Sequence, residues 1–343
     1  MTGFELTHPL FQNISCWKPH LWDPTPLWPV DPDISIIESL SRTHFQIPAE
    51  HDINVTFFAE GAFNKLYTIA TSEDGGAESQ LPYLFRVTLP VEPFYKTASE
   101  VATLCYIREH TSVPVPRVIA HRSTADNELG FEWILMEKIP GVSLKSVWHG
   151  MDMETKDREM REIARYVKQL RDNECSFNVI GNLYIREEIP EETTHTVPTA
   201  DGRFVVGPIV TGFLFRGGKK LRLPRNLGPY PNDAEYMVAF TGAEAEDMQF
   251  IQSPEARTYD DFDKDVAEEV PEILEALEEL QEAWKTLFPS PPLDPPRPFA
   301  LIHHDLSFSN ILVDPSTHKI TGMLDWECTG TRLRYSSNLK GTT

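Results

Sequence analysis

The stretch FALIHHDLSFSNILVDPSTHKITGMLDWE, residues 299–327, decides the fold. Apolar runs flank a polar cluster of His303, Asp305 and Asn310, and a last run, KITGML, ends on Asp325. Polar groups confined to the ends of short apolar runs mark strands that meet at a site. NILVD and KITGMLD are expected to pair as a hairpin around the turn PSTHK, which brings Asp325 back beside Asp305 and Asn310. Phosphoryl transfer needs a carboxylate to accept the proton of an acceptor hydroxyl, and oxygen ligands to hold magnesium against the phosphates. Asp305 suits the first task. Asn310, five positions on, and Asp325, twenty positions on, suit the second.

Upstream, residues 54–70 (NVTFFAEGAFNKLYTIA) read as two β-rich runs around a turn at Glu60-Gly61, and YLFRVTLP (83–90) as a third strand. The segment TASEVATLCYIREHT places apolar residues at 101, 104, 105 and 107, a helical stripe that stops before Pro114 and Pro116. FEWILMEKIPG (131–141) is a nearly continuous apolar strand broken at Pro140-Gly141, where a connection between lobes is expected. Beyond it, residues 153–172 set Met160, Ile163, Ala164, Val167 and Leu170 on one helical face. Residues 265–288 do the same with Val266, Val270, Ile273, Leu274, Leu277, Leu280, Trp284 and Leu287. Between these helices, 184–250 is expected to be an insertion carrying a hairpin, RFVVGPIVTGFLF, and a basic glycine turn, RGGKKLRLPR.

The chain has 343 residues with 31 Lys and Arg against 52 Asp and Glu, a net charge of -21, so its field repels nucleic acid and anionic lipid. Cys16, Cys105, Cys175 and Cys328 form no CxxC pair, which excludes a zinc ribbon and a disulfide scaffold and fits a reducing compartment. The N-terminus has no basic stretch ahead of an apolar one, and no apolar run is long enough to span a bilayer. A cytoplasmic, unanchored protein is expected. Residues 1–33, rich in Pro and Trp, resist helix and strand and read as an irregular arm.

HxDxxxxN followed by a strand and an aspartate resembles the catalytic loop and metal-binding aspartate of the protein-kinase-like superfamily. The closer resemblance is to the aminoglycoside phosphotransferase family, whose HGDLxxxNIL and DWE motifs read here HHDLSFSNIL and LDWE. The resemblance runs from about residue 55 to 327. It implies an α+β, two-lobed fold, with a small antiparallel-sheet lobe and a mainly helical larger lobe. It also implies transfer of the γ-phosphoryl group of ATP, with Mg2+, to a hydroxyl of a small molecule. Asp305 would be the catalytic base, Asn310 and Asp325 the magnesium ligands, and His303 a brace of the loop. Arg86 would stand where many members carry a phosphate-binding lysine, braced by Glu100. AEGAFNKLY would cover the triphosphate with Gly61 and the amides of Ala62 and Phe63. LMEKIPG would be the hinge, with backbone groups of Glu137 and Ile139 at the adenine edge and Leu135 and Met136 lining its pocket.

The expected organisation is thus an arm and first helix over 1–50, a nucleotide-binding lobe over 51–138, and a larger lobe over 139–327 with catalytic loop 303–310. Residues 328–343 show no apolar period and are expected to be a disordered tail, since the chain ends short of the helices with which the family continues. That ending supports an alternative, a pseudokinase-like nucleotide-binding or interaction module; the intact Asp305, Asn310 and Asp325 support the enzyme.

Each of these residues alone has a plain explanation: Asp305 and Asn310 as turn caps, Asp325 as a strand-end cap, Arg86 and Glu100 as a surface ion pair. Their joint order along one chain points to the kinase-like fold. His303-x-Asp305 also begins a two-histidine, one-carboxylate iron site, but the only downstream histidine is His318, in a turn. Neither GxxxxGK[ST] nor GxGxxG occurs.

Overall fold

The structure is a computed structural model that describes residues 27–28, 30–73, 79–171, 176–191, 193, 195–215, 227–258, 262–288 and 299–333. The first sheet comprises β1 (His51–Glu60), β2 (Asn64–Glu73), β3 (Ser79–Thr88), β4 (Val118–Arg122) and β5 (Glu132–Glu137), antiparallel in the order β1-β2-β3-β5-β4. The β1–β2 turn falls where Glu60-Gly61 predicts it, and Gly61 N–H donates to Asn64 O at 2.8 Å.

Two helices cover opposite faces of this sheet. Helix α1 (Ile34–Phe45), capped by Asp33 Oδ1 accepting from Ser35 N at 2.8 Å, stacks Phe45 on Tyr83 and His44 against Trp133. Because side chains alternate along a strand, Tyr83, Phe85, Trp133 and Leu135 share the α1 face, while Arg86, Ile134 and Met136 turn to the other. Helix α2 (Tyr95–His110) covers that second face, where Val101 packs with Ile134 and Met136. A strand buried on both sides has no polar face, which is why FEWILME reads as an apolar run.

Helix α2 begins at Tyr95, two residues before the segment singled out in the sequence. Its start carries no capping side chain of its own: Phe94 sits at φ 65, and its N–H donates to Glu132 Oε1 of β5 at 2.7 Å. A cap supplied from a distant strand leaves no local signature.

The chain crosses to its second half at Gly141, φ +140, where an added Cβ would lie 2.7 Å from Thr321 Oγ1 and 2.8 Å from Val313 O. β6 (Val142–Ser143) then pairs with β12 (Ile311–Val313), which pairs with β13 (Ile320–Met323), so the expected hairpin of 311–323 is present. After α3 (Leu144–Val147) comes α4 (Met153–Arg171). Its inward face holds Glu159, Ile163 and Leu170, whereas Met160 and Ala164, expected there, are exposed. Ile163 and Leu170 of the expected stripe do face inward, and Glu159, buried beside them, is paired with Arg158 Nε at 2.6 Å.

A six-stranded sheet forms from β7 (Ser176–Phe177), β8 (Gly181–Ile185), β9 (Val197–Pro198), β10 (Phe204–Gly207), β11 (Phe299–Ile302) and β14 (Gly330–Leu333), in the order β7-β11-β14-β8-β10-β9. Two expectations are corrected here. Residues 203–215 are not a hairpin: β10 pairs with β8 and β9, upstream in sequence, and α5 (Gly212–Phe215) follows. Residues 330–333 are no disordered tail but a strand in the middle of the sheet, between β11 and β8. The strand escapes an apolar-periodicity test because its neighbours inside are threonines. Thr329 and Thr331 are fully buried, and the Thr331 hydroxyl donates to Val179 O at 2.7 Å while accepting from Gly181 N at 2.9 Å. The basic glycine turn 216–225 and residues 334–343 lie outside the described residues, as does most of the arm.

The stretch 184–250 also holds a helix that the sequence reading missed, α6 (Asp233–Ile251), capped by Asn232 accepting from Glu235 N at 2.9 Å. It packs against α7 (Lys264–Leu287), whose apolar stripe is only partly covered: Val270 is buried, but Leu280 and Leu287 are exposed.

Candidate active site

β11 delivers the chain at Ile302 into a tight loop, and His303 holds that loop to the end of β13. His303 Nε2 lies 2.9 Å from Leu324 O, and its Nδ1 accepts from Asp305 N at 3.2 Å. The carbonyl requires a donor and the amide an acceptor, so the ring carries its proton on Nε2. Burial pushes its pKa down, and Trp326 packs on the ring at 4.5 Å. Neutral and doubly bonded, His303 fits the brace that the family resemblance implies.

Asn310 ties the loop from the other side. Its Nδ2 donates to Asp305 Oδ2 and to Asp305 O, both at 2.9 Å, and its backbone carbonyl accepts from Leu324 N at 2.8 Å. Asp325 is the next residue, at φ 64. The 311–323 hairpin therefore returns the chain at Leu324 to Asn310, which is itself bonded to Asp305, and leaves Asp325 one residue from that junction.

On the small sheet, Arg86 and Glu100 form a buried bidentate pair, with Nη1 to Oε1 at 2.6 Å and Nη2 to Oε2. The surface ion-pair reading of these residues is excluded by that burial. Arg86 lies close enough to Asp325 and Glu327 for all three to feel one another's charge. Packed protein around Asp325 pushes its pKa up, reinforced by the negative charges of Glu327 and Glu100 and opposed by Arg86 and Lys96. Asp325 keeps open surface, so solvent screens part of that effect. Burial works the same way on Glu327, but Lys96, Arg86 and the Asn64 amide outweigh it and hold the carboxylate below its ordinary range.

Lys96, Glu327 and Asn64 were not assigned roles from the sequence. Lys96 precedes Glu100 by four positions, a spacing common to solvated helical pairs, and Glu327 sits inside the quoted DWE motif without a task. In the structure Lys96 is 1% exposed and its Nζ lies 2.6 Å from Glu327 Oε2, which also accepts from Asn64 Nδ2 at 3.1 Å.

The remaining predicted residues divide. Ala62 is exposed at the β1–β2 turn, whereas Phe63 is buried in the core, and the Gly61 amide is committed to closing the turn. A Cβ on Gly61 would meet nothing nearer than Asn64 O at 4.0 Å, so the protein itself does not require glycine there. Glu137 N–H donates to Arg117 O at 2.9 Å. Ile139 lies over β13, where a Cβ on Gly322 would come within 2.7 Å of its Cδ1. Met136 shares the face of Arg86. Leu135 does not: strand alternation turns it to the α1 face, so it cannot line a pocket beside Arg86.

An antiparallel sheet carrying a helix-braced cation, joined by a short connection to a second half that holds an HxDxxxxN loop and a strand-end aspartate, defines the kinase-like class of folds. Residues 54–335 match the model of the phosphotransferase enzyme family, APH, and the chain belongs to that family. It is 27% identical over 311 residues to a subtelomeric hrmA-associated cluster protein of Aspergillus fumigatus, covering 80% of this chain and 57% of that protein. It is 24% identical to the altered inheritance of mitochondria protein 9, mitochondrial, of Candida dubliniensis, over 69% of this chain and 43% of that one. The chain thus spans little more than half the length of the first of these relatives and less than half of the second. Among solved structures, the aminoglycoside phosphotransferase APH(4)-Ia aligns at 16% identity with a TM-score of 0.43, over 88% of this chain and 73% of that one.

Proposed function

We propose that this chain transfers the γ-phosphoryl group of ATP to a hydroxyl of a small molecule. The observation that carries the reading is the 2.9 Å bond from Asn310 Nδ2 to Asp305 Oδ2, which holds an exposed carboxylate by one oxygen and leaves the other for a proton. Asp305 takes the hydroxyl proton as the acceptor oxygen bonds to phosphorus and the bridging oxygen leaves with ADP. Arg86 and the Ala62 and Phe63 amides are assigned to the phosphates, and the Glu137 carbonyl and Ile139 amide to the adenine edge.

Asn310 Oδ1 and the Asp325 carboxylate would hold Mg2+. Among the described residues no three His, Cys, Asp or Glu side chains gather into a metal-binding group. The negative charge that Glu327 and Glu100 press on Asp325 is the local feature a divalent cation would relieve. When bound, the ion neutralises charge on the transferring phosphate.

The same reading divides the chain into a nucleotide-binding lobe over 51–138 and a larger lobe over 139–327. Among the described residues no helix is long and apolar enough to cross a membrane; a cytoplasmic location is proposed, while the yeast relatives are named as mitochondrial. The test is thermal denaturation with Mg·ATP: the wild type should gain stability and Asp325→Ala should not, because the metal's carboxylate is gone. A wild type indifferent to Mg·ATP would sink the proposal.

A further inference from the structure

We propose that Glu327 is a positioning residue for this reaction, tying the turn that covers the nucleotide to the strand end that carries Asp325. The proposal rests on the phosphotransferase reading above. Two groups meet on one oxygen of Glu327, which forms an ion pair with Lys96 Nζ at 2.6 Å and accepts a hydrogen bond from Asn64 Nδ2 at 3.1 Å. They come from different parts of the small lobe. Asn64 opens β2 directly after the 61–63 turn, and Lys96 lies in the first turn of α2, one helical turn before Glu100.

Asn64 is fixed in the orientation this requires. Its Oδ1 accepts from the Thr88 hydroxyl at 2.9 Å, so its Nδ2 must face Glu327. The Phe63 ring, 5.7 Å from Lys96 Nζ, closes the turn over the same charge. Glu327 thereby touches both the residue that follows the covering turn and the helix bracing Arg86, from a position two residues past Asp325.

Backbone geometry gives the neighbouring carboxylates different tasks. In a regular strand residues 325 and 327 would share a face. Asp325 at φ 64 breaks that regularity, and Trp326, buried with its Nε1 on Met323 O at 2.8 Å, anchors the turn between them. Asp325 is left exposed, and Glu327 is turned inward and neutralised there by Lys96. Without the tie the covering turn loosens, and the loss falls on nucleotide affinity.

The experiment is calorimetric binding of Mg·AMP-PNP, with hydrogen–deuterium exchange over residues 57–66, on the full chain and on Glu327→Gln, Asn64→Ala and the double variant. Each single change should weaken binding about tenfold, the size expected of a charge-assisted hydrogen bond, and speed exchange in the turn. The double variant should be no worse than the worse single one, since both remove the same tie. If Glu327→Gln, which strips Lys96 of its counter-charge, does not fold, Asn64→Ala decides alone. Wild-type chain that fails to bind Mg·AMP-PNP refutes the phosphotransferase reading itself. Wild-type binding with Asn64→Ala unchanged in affinity and exchange overturns the positioning role alone. So does a weakening confined to Glu327→Gln that excess Mg2+ restores, which would make Glu327 a metal ligand.

Discussion

Replacing Glu132 by glutamine should change how stability depends on pH. Glu132 lies fully inside the small lobe, where it accepts the Phe94 amide at the start of α2. Burial pushes its pKa up from 4.5 to about 7, against the pull of Thr97, the Phe94 amide and Lys96. A group whose pKa is higher folded than unfolded stabilises fully below its unfolded value and loses that contribution as pH climbs through the folded one. With about 1.4 kcal/mol per pKa unit, the chain should lose roughly 3 kcal/mol through this residue alone between pH 4.5 and 7.5. Glutamine keeps an oxygen for the Phe94 amide and cannot ionise. The measurement is urea denaturation of both proteins from pH 5 to 8. Other groups cancel in the difference, so Glu132→Gln should draw ahead of the wild type by roughly 3 kcal/mol across that range. Parallel profiles would refute the reasoning.

Asp305→Ala should keep Mg·ATP binding and lower turnover about 100-fold or more, as loss of a general base does; unchanged turnover in a single-turnover assay would exclude it. Arg86→Met leaves Glu100 charged and buried, and chemical denaturation should record a loss of about 3–5 kcal/mol, most of it restored when Glu100→Met is added. Gly141→Ala forces a side chain into φ +140 and against Thr321 Oγ1 at 2.7 Å. It should cost about 2 kcal/mol or more in the same assay, and a neutral result would mean that the backbone between the halves is not held there.

What the sequence determined by itself was the arrangement of short-range pattern. The 311–323 hairpin, the β1–β2 turn and the approach of Asp305, Asn310 and Asp325 all follow from strand alternation, turn residues and fixed spacing, which act over a few residues. Tertiary structure decided what depends on partners far apart in the chain. β14 is a central strand in which the buried Thr331 hydroxyl finds the Val179 carbonyl across the sheet, which no apolar count detects. Helix α2 starts where Glu132 caps it, and Leu135 leaves the cleft because β3 and β5 set which face meets α2. Lys96 and Glu327 stand 231 positions apart yet 2.6 Å from one another. Their charges are ordinary in sequence, and only burial in a shared seam, where water no longer screens them, makes each depend on the other.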